Sequence, residues 1–233
     1  MRRHARLMWR PLVGFGVVVM TALSGSATPL SAQELADFDY ENLSLRGIGV
    51  EWGYLWPNRV ETDPSFGVRF DLGYLGPGVR ITPSATWWES KMVGAEVSRL
   101  ETRVADLANR SLAPGTAPVE VDLGDVFWRD LVLGVDAQAV WSIPWGFLSY
   151  TGVGAAAHIQ NGWGEAVDDT FVEDLLDAVV AGFNVHTGLE YPVADWLRLH
   201  AVARYEWMAD LRYVELRFGS SFMFGPSAPG ELR

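Results

Sequence analysis

Alternation with a period of two constrains this chain more than any other feature of it. In VELRFGSSFMF, residues 214 to 224, Val214, Leu216, Phe218, Phe222 and Phe224 fall on one side, and Glu215, Arg217, Gly219 and Ser221 on the other. A β-strand points successive side chains to opposite faces, so this is a strand with one apolar and one polar face. The pattern recurs in eight segments: 45–56, 66–75, 78–89, 126–142, 146–159, 180–191, 196–207 and 214–224. In the first, Ile48, Val50, Trp52, Tyr54 and Trp56 oppose Gly47, Gly49, Glu51 and Gly53. The segment 146–159 alone is ambiguous in phase, with His158 placed inward. Pro83 is expected to interrupt the third strand.

The connections alternate as well. Segments two to three, four to five and six to seven are joined by turns containing GPG, IPWG and PVAD, all rich in turn formers. The stretches 57–65, 90–125 and 160–179 are longer, with a brief link near 208–211. Strands linked this way predict an all-β, eight-stranded, antiparallel up-and-down barrel with its long loops at one end.

Two barrels satisfy the pattern: a soluble lipocalin-like one with a greasy interior, and a membrane barrel with a greasy exterior. An eight-stranded interior holds little more than its own side chains. Glycine, serine, threonine and a few charges fit there; the face of Trp, Phe, Tyr, Leu and Val does not. That face is therefore turned to lipid, and its aromatics gather at two levels. Trp52, Trp56, Phe66, Trp87 and Trp207 lie toward the long loops, and Tyr74, Trp141, Tyr191, Phe222 and Phe224 toward the short turns. The expected fold is a transmembrane β-barrel, whose closure satisfies the backbone in hydrocarbon.

The N-terminus reads MRRHARLMWR, then PLVGFGVVVMTAL, then SATPLSAQE, the charged, apolar and small-residue order of a secretory signal peptide. Cleavage is expected after Ala32. The domain reading is a signal peptide at 1–32, a periplasmic segment at 33–43, the barrel at 44–224 and a tail at 225–233. Losing the leader's four arginines moves the net charge from -11 to -15, which argues against nucleic acid as a partner. Without cysteine, no disulfide or thiolate metal site is available.

The ending RFGSSFMF, residues 217 to 224, resembles the C-terminal signal of the small outer-membrane β-barrels of the OmpA/OmpX type. Arg217 matches its polar residue, Gly219 its glycine, Phe222 its aromatic and Phe224 its final hydrophobe. The resemblance implies a cell outer membrane location and a signal read by the barrel assembly machinery. It also implies contact with outer-membrane lipid and lipopolysaccharide, and no cofactor.

Inward charges on this register include Glu51, Arg69, Asp71, Arg80, Asp130, Asp136, Arg198, Arg204, Glu206, Glu215 and Arg217. Matching heights across strands predicts Glu51 near Arg69 and Arg217, and Arg204 near Glu215, in a network that neutralises the lumen. Arg129 and Arg212 break the apolar face near the outer rim, where arginine reaches lipid headgroups. His158, His186 and His200 lack the spacing of a metal site.

The loop stretches 93–112 and 170–182 read as short helices, the first with Val93, Val97, Leu100, Val104 and Leu107 in one stripe. Thr170 and Glu173 have the spacing of a capping box. The helices are expected to pack on each other or over the barrel mouth. Asp168, Asp169, Glu173 and Asp174 form an acidic face without the spacing of a calcium loop. The functional expectation is a non-enzymatic outer-membrane protein that supports envelope integrity or meets surface partners through loops 90–125 and 160–179. The alternatives are a narrow porin-like channel and a lipid A-modifying enzyme.

Overall fold

The computed structural model describes residues 43–224, apart from 77, 111 and 114. The expected signal peptide, the segment before residue 43 and the tail 225–233 lie outside the described residues. The strands are β1 (Gly47–Pro57), β2 (Asp63–Asp71), β3 (Tyr74–Gly76), β4 (Val79–Lys91), β5 (Phe127–Ile143), β6 (Phe147–Trp163), β7 (Ala178–Ala194), β8 (Leu197–Met208) and β9 (Arg212–Met223). Helix α1 (Gly94–Arg110) lies between β4 and β5, and α2 (Phe171–Leu176) between β6 and β7.

Pairing is antiparallel throughout and closes on itself. The strands run in the order β2, β1, β9, β8, β7, β6, β5, β4, β3, and a further β2–β4 pairing completes the ring. At the seam, β1 pairs β9 from Gly47 with Met223 to Pro57 with Tyr213. Segments β2 and β3 are one stave interrupted at Leu72 and Gly73, so nine strands make eight staves.

That interruption explains the proline. The β2–β4 ladder stops at Arg69 with Ser84. It resumes where Leu72 N–H donates to Ile81 C=O at 3.1 Å and Ile81 N–H to Gly73 C=O at 3.0 Å. Gly73 makes the bend with φ +78, a left-handed conformation open to glycine. Pro83 lies in the gap, so its missing N–H forfeits no ladder bond. The expected interruption of the strand at Pro83 is therefore corrected: β4 runs through it, and the break falls on the neighbouring stave.

The ambiguous strand is settled too. In β6 the even residues point inward, with Leu148, Tyr150 and His158 buried. Its phase was hidden because Ala155, Ala156 and Ala157 offer no contrast, and because Leu148 and Tyr150 are apolar residues on the inner face.

Helix α2 ends at Leu176, not at 182 as the sequence pattern suggests. Val179 and Val180 pair with Ile159 and His158 in the β6–β7 ladder, where β-branched residues are favoured. Asn161 Nδ2 and the Gly162 N–H both donate to Asp177 Oδ1, at 2.8 and 3.2 Å, fixing the helix end to β6. The Thr170 hydroxyl accepts from Val172 N–H at 3.2 Å, while Glu173 accepts from Asp169 N–H at 2.9 Å instead of closing the expected box on Thr170.

A hydrophobic core lies at the long-loop end. Leu55, Trp88, Trp128 and Tyr213 from the strands meet Val97 and Val104 of α1, Val172 and Leu176 of α2, and Leu211. Each helix thus buries part of its apolar side over the barrel mouth, while Leu107, Phe171 and Leu175 stay exposed. Trp88 is 1% exposed at the centre of this cap. Replacing Trp88 by alanine is expected to cost about 3–5 kcal/mol in reversible denaturant unfolding of the folded barrel.

Candidate functional site

The lumen holds the densest group of chemically active side chains. At the short-turn end Arg80, from β4, is fully buried. Its Nη1 donates to Glu190 Oε2 at 2.6 Å and lies 3.6 Å from Asp71, while Nε and Nη2 donate to Gln138 Oε1 at 3.0 and 2.8 Å. Its guanidinium carbon stands 5.2 Å from the centre of the Tyr150 ring, and that of Arg69 5.8 Å from the same ring. Such cation–π contacts gain strength away from water.

At mid-height Glu51 is the hub. It lies 3.5 Å from Arg69, 3.2 Å from Arg217 and 2.9 Å from His200 Nε2. Higher up, Glu215 accepts from Arg217 at 2.5 Å and from the Ser65 hydroxyl at 2.6 Å. Arg204 bonds Asp136 and lies 3.6 Å from Glu206. His158 sits between Asp130 at 2.7 Å and Glu206 at 3.5 Å. Arg198 is also buried on this face. A gap of about 10 Å³, lined by Glu51, Arg69, Asp136, Tyr150 and Arg204 among others, is about the size of one water.

Arg204 and Glu215 lie opposite each other as their heights predict, but each takes a different ion-pair partner. The two are register partners across β8 and β9, yet Arg204 bonds Asp136 of β5, on a strand that is not its neighbour, and Glu215 takes Arg217 of its own strand. In so narrow a lumen the opposite wall is within reach of a long side chain, which matching neighbouring strands overlooks. Glu190 was missing from the predicted charge set although its position on the inward register was readable.

The buried charges nearly balance. Glu51, Asp71, Asp130, Asp136, Glu190, Glu206 and Glu215 face Arg69, Arg80, Arg198, Arg204 and Arg217, seven carboxylates against five guanidiniums. His158 and His200 are the two imidazoles among the described residues that touch these carboxylates. His186 touches amides instead, with Asn184 at 2.8 Å and Gln138 at 3.2 Å. Among the described residues, no group of three or more His, Asp and Glu is arranged to hold a metal ion.

Inward glycines make room for these rings. A Cβ on Gly152 would lie 2.7 Å from His186 Nε2, and one on Gly219 would lie 2.6 Å from His200 Nε2. Gly182 lies in the same way beneath His158, and Gly188 beneath Tyr150. Gly219 belongs to the expected assembly signal, so the fold gives it a packing role of its own. Of the other signal positions, Arg217 is in the lumen, Phe222 stacks outside on Trp196 at 6.1 Å, and Phe224 is exposed. Arg129 pairs with Glu89 at 2.9 Å on the outer face, and Arg212 is exposed at the rim.

The exterior reverses the usual order. Trp52, Phe66, Val135, Phe183 and Phe218 are each 42–54% exposed, while Arg80, Asp130 and Glu206 are fully buried. Water-soluble chains do not leave so continuous an apolar surface open while hiding their charges. The chain is a transmembrane β-barrel. Aromatic contacts occur toward both ends of the apolar belt, with Phe127 on Trp163 at 4.5 Å toward the long loops and Phe147 with Tyr191 at 4.9 Å toward the turns.

The barrel is similar in fold to solved small outer-membrane barrels. Neisserial surface protein A aligns at 15% identity with a TM-score of 0.49, covering 76% of this chain and 96% of its own. Ail of Yersinia pestis aligns at 10% identity and 0.45, covering 78% and 100%. The N-terminal barrel domain of Pseudomonas aeruginosa OprF aligns at 14% and 0.42, covering 77% and 98%. No family model and no curated protein matches the sequence.

Two substitutions probe the lumen. Glu51→Ala leaves Arg69, Arg217 and His200 facing one another without their carboxylate, and is expected to destabilise the barrel by about 3–5 kcal/mol in denaturant titration. Gly182→Ala pushes a methyl group into His158 and should lower the unfolding midpoint, whereas Gly94→Ala, which meets nothing within 4 Å, should not.

Proposed function

We propose that this chain is a non-enzymatic protein of the outer membrane, whose sealed barrel holds a structured loop cap at the cell surface and so supports the envelope or meets surface partners. The observation that carries the reading is the filled lumen. Ion pairs cross it at several heights, and a hydrophobic cluster covers its mouth. A solute would have to break buried pairs, and removing one partner of such a pair costs several kcal/mol. That argues against a porin-like channel.

The lumen also argues against lipid A chemistry. A catalytic histidine there needs a nucleophile or activated water and access to lipid. His158 is fully buried, and its ring contacts are the carboxylates of Asp130 and Glu206. On this reading the signal peptide exports the chain, the final strand addresses it to the barrel assembly machinery, and Arg212 at the rim meets lipopolysaccharide phosphate. Loops 90–125 and 160–179 then carry the contact with an extracellular partner.

Planar-bilayer recording of the purified barrel is the direct test. The expected trace is flat across the usual voltage range, and reproducible open-channel steps would replace this reading with the channel. Expression in a Gram-negative host is expected to place a protein of heat-dependent gel mobility in the outer membrane, with lipid A unchanged in mass.

A further inference from the structure

Between the two loop helices the cap leaves a cavity of about 200 Å³ above the barrel mouth. Its walls are Leu100 of α1, Leu175 and Leu176 of α2, and Met92; Trp128 and Val180 form the floor. Leu175 is 54% exposed at the edge of this space, whose lining mixes these apolar side chains with polar ones, Gln160 among them.

Charge at the cavity edge is specific. Arg59, Glu96, Arg103 and Asp210 all line it. Glu96 is held by Arg59 at 3.2 Å and also by Arg99, and Asp210 lies 3.6 Å from Arg59. Both wall carboxylates are therefore matched. Arg103, three residues beyond Leu100 on the same side of α1, is exposed and has no carboxylate within 4.0 Å among the described residues. The stretches 92–126 and 164–177 together carry twelve carboxylates and three arginines, a field that opposes anions the more strongly the higher their charge, so a bound anion here depends on its local contact with Arg103.

We propose that this cavity binds a compact amphiphilic carboxylate, with its apolar body between the helices and its carboxylate on Arg103. A guanidinium matches a carboxylate as a two-pronged donor. An apolar cavity of about 150 Å³ takes up benzene, so this one has room for a ring or a short hydrocarbon chain. The assignment is independent of whether the barrel conducts.

The test uses the full barrel refolded into phosphatidylcholine nanodiscs, with radiolabelled octanoate in equilibrium dialysis against empty nanodiscs. One saturable equivalent per barrel is expected above the lipid background. Arg103→Ala should weaken it about tenfold, the loss of one charge-assisted contact, and Leu175→Glu should abolish it. Both positions are exposed, and heat-dependent mobility checks that each variant is folded. Octan-1-ol should compete about tenfold less well than unlabelled octanoate. Uptake equal to that of empty nanodiscs, binding unchanged in folded Arg103→Ala, or octan-1-ol competing as well as octanoate would each overturn the proposal.

Discussion

The hydrogen-bonding demand of the backbone governs this molecule. In hydrocarbon an unmet N–H or C=O has no water to turn to, so a sheet can cross only when its edges meet. Here β9 meets β1 and β2 meets β4. Once the ring is closed at eight staves, its interior width is fixed, and the remaining features are answers to that width. Small residues line much of the inside, rings of histidine and tyrosine lie over glycines, and the remaining volume is taken by charged side chains that pair. Even the gap in the β2–β4 ladder is placed where a proline needs no partner.

The packing of the lumen follows from the same dimension. Removing charges from water is expensive, and their attraction repays the cost only with good geometry and further hydrogen bonds. Arg80 meets this requirement with a carboxylate, an amide oxygen and an aromatic face at once. Glu51 meets it with two guanidiniums and an imidazole. The network is three-dimensional: it links opposite walls as readily as adjacent staves. At the mouth the principle changes, and aliphatic and aromatic side chains from strands and loop helices form a cap that would not be out of place in a soluble protein.

Much of this was legible in the sequence because a sheet between two unlike environments writes its orientation into alternate residues. Seven of the eight staves could be given a phase, and the inward position of Glu51, Arg69 and Arg217 followed from it. The eighth was hidden by three successive alanines and by Tyr150, whose ring points inward to meet arginines. Partner choice was less legible: side chains crossing a narrow interior obey its diameter, which sequence order does not encode, so Arg204 went to Asp136. The ladder break was also misplaced, because proline marks where a donor is missing but not which neighbouring stave bends. The cap cavity left no periodic trace at all, since it arises between helices whose stripes are too short to fix their spacing.

Several polar contacts of the lumen join residues that are far apart along the chain. Ser65 bonds Glu215 across 150 positions and Glu51 bonds Arg217 across 166. The first strand thus carries a carboxylate one of whose two guanidinium partners is made last. Until β9 zips onto β1, Glu51 lacks Arg217 and Ser65 lacks Glu215, and a half-built cylinder in lipid would expose two open edges. Assembly of such a chain is cooperative from end to end, with the final strand serving at once as the seam of the wall and the counter-charge of the interior.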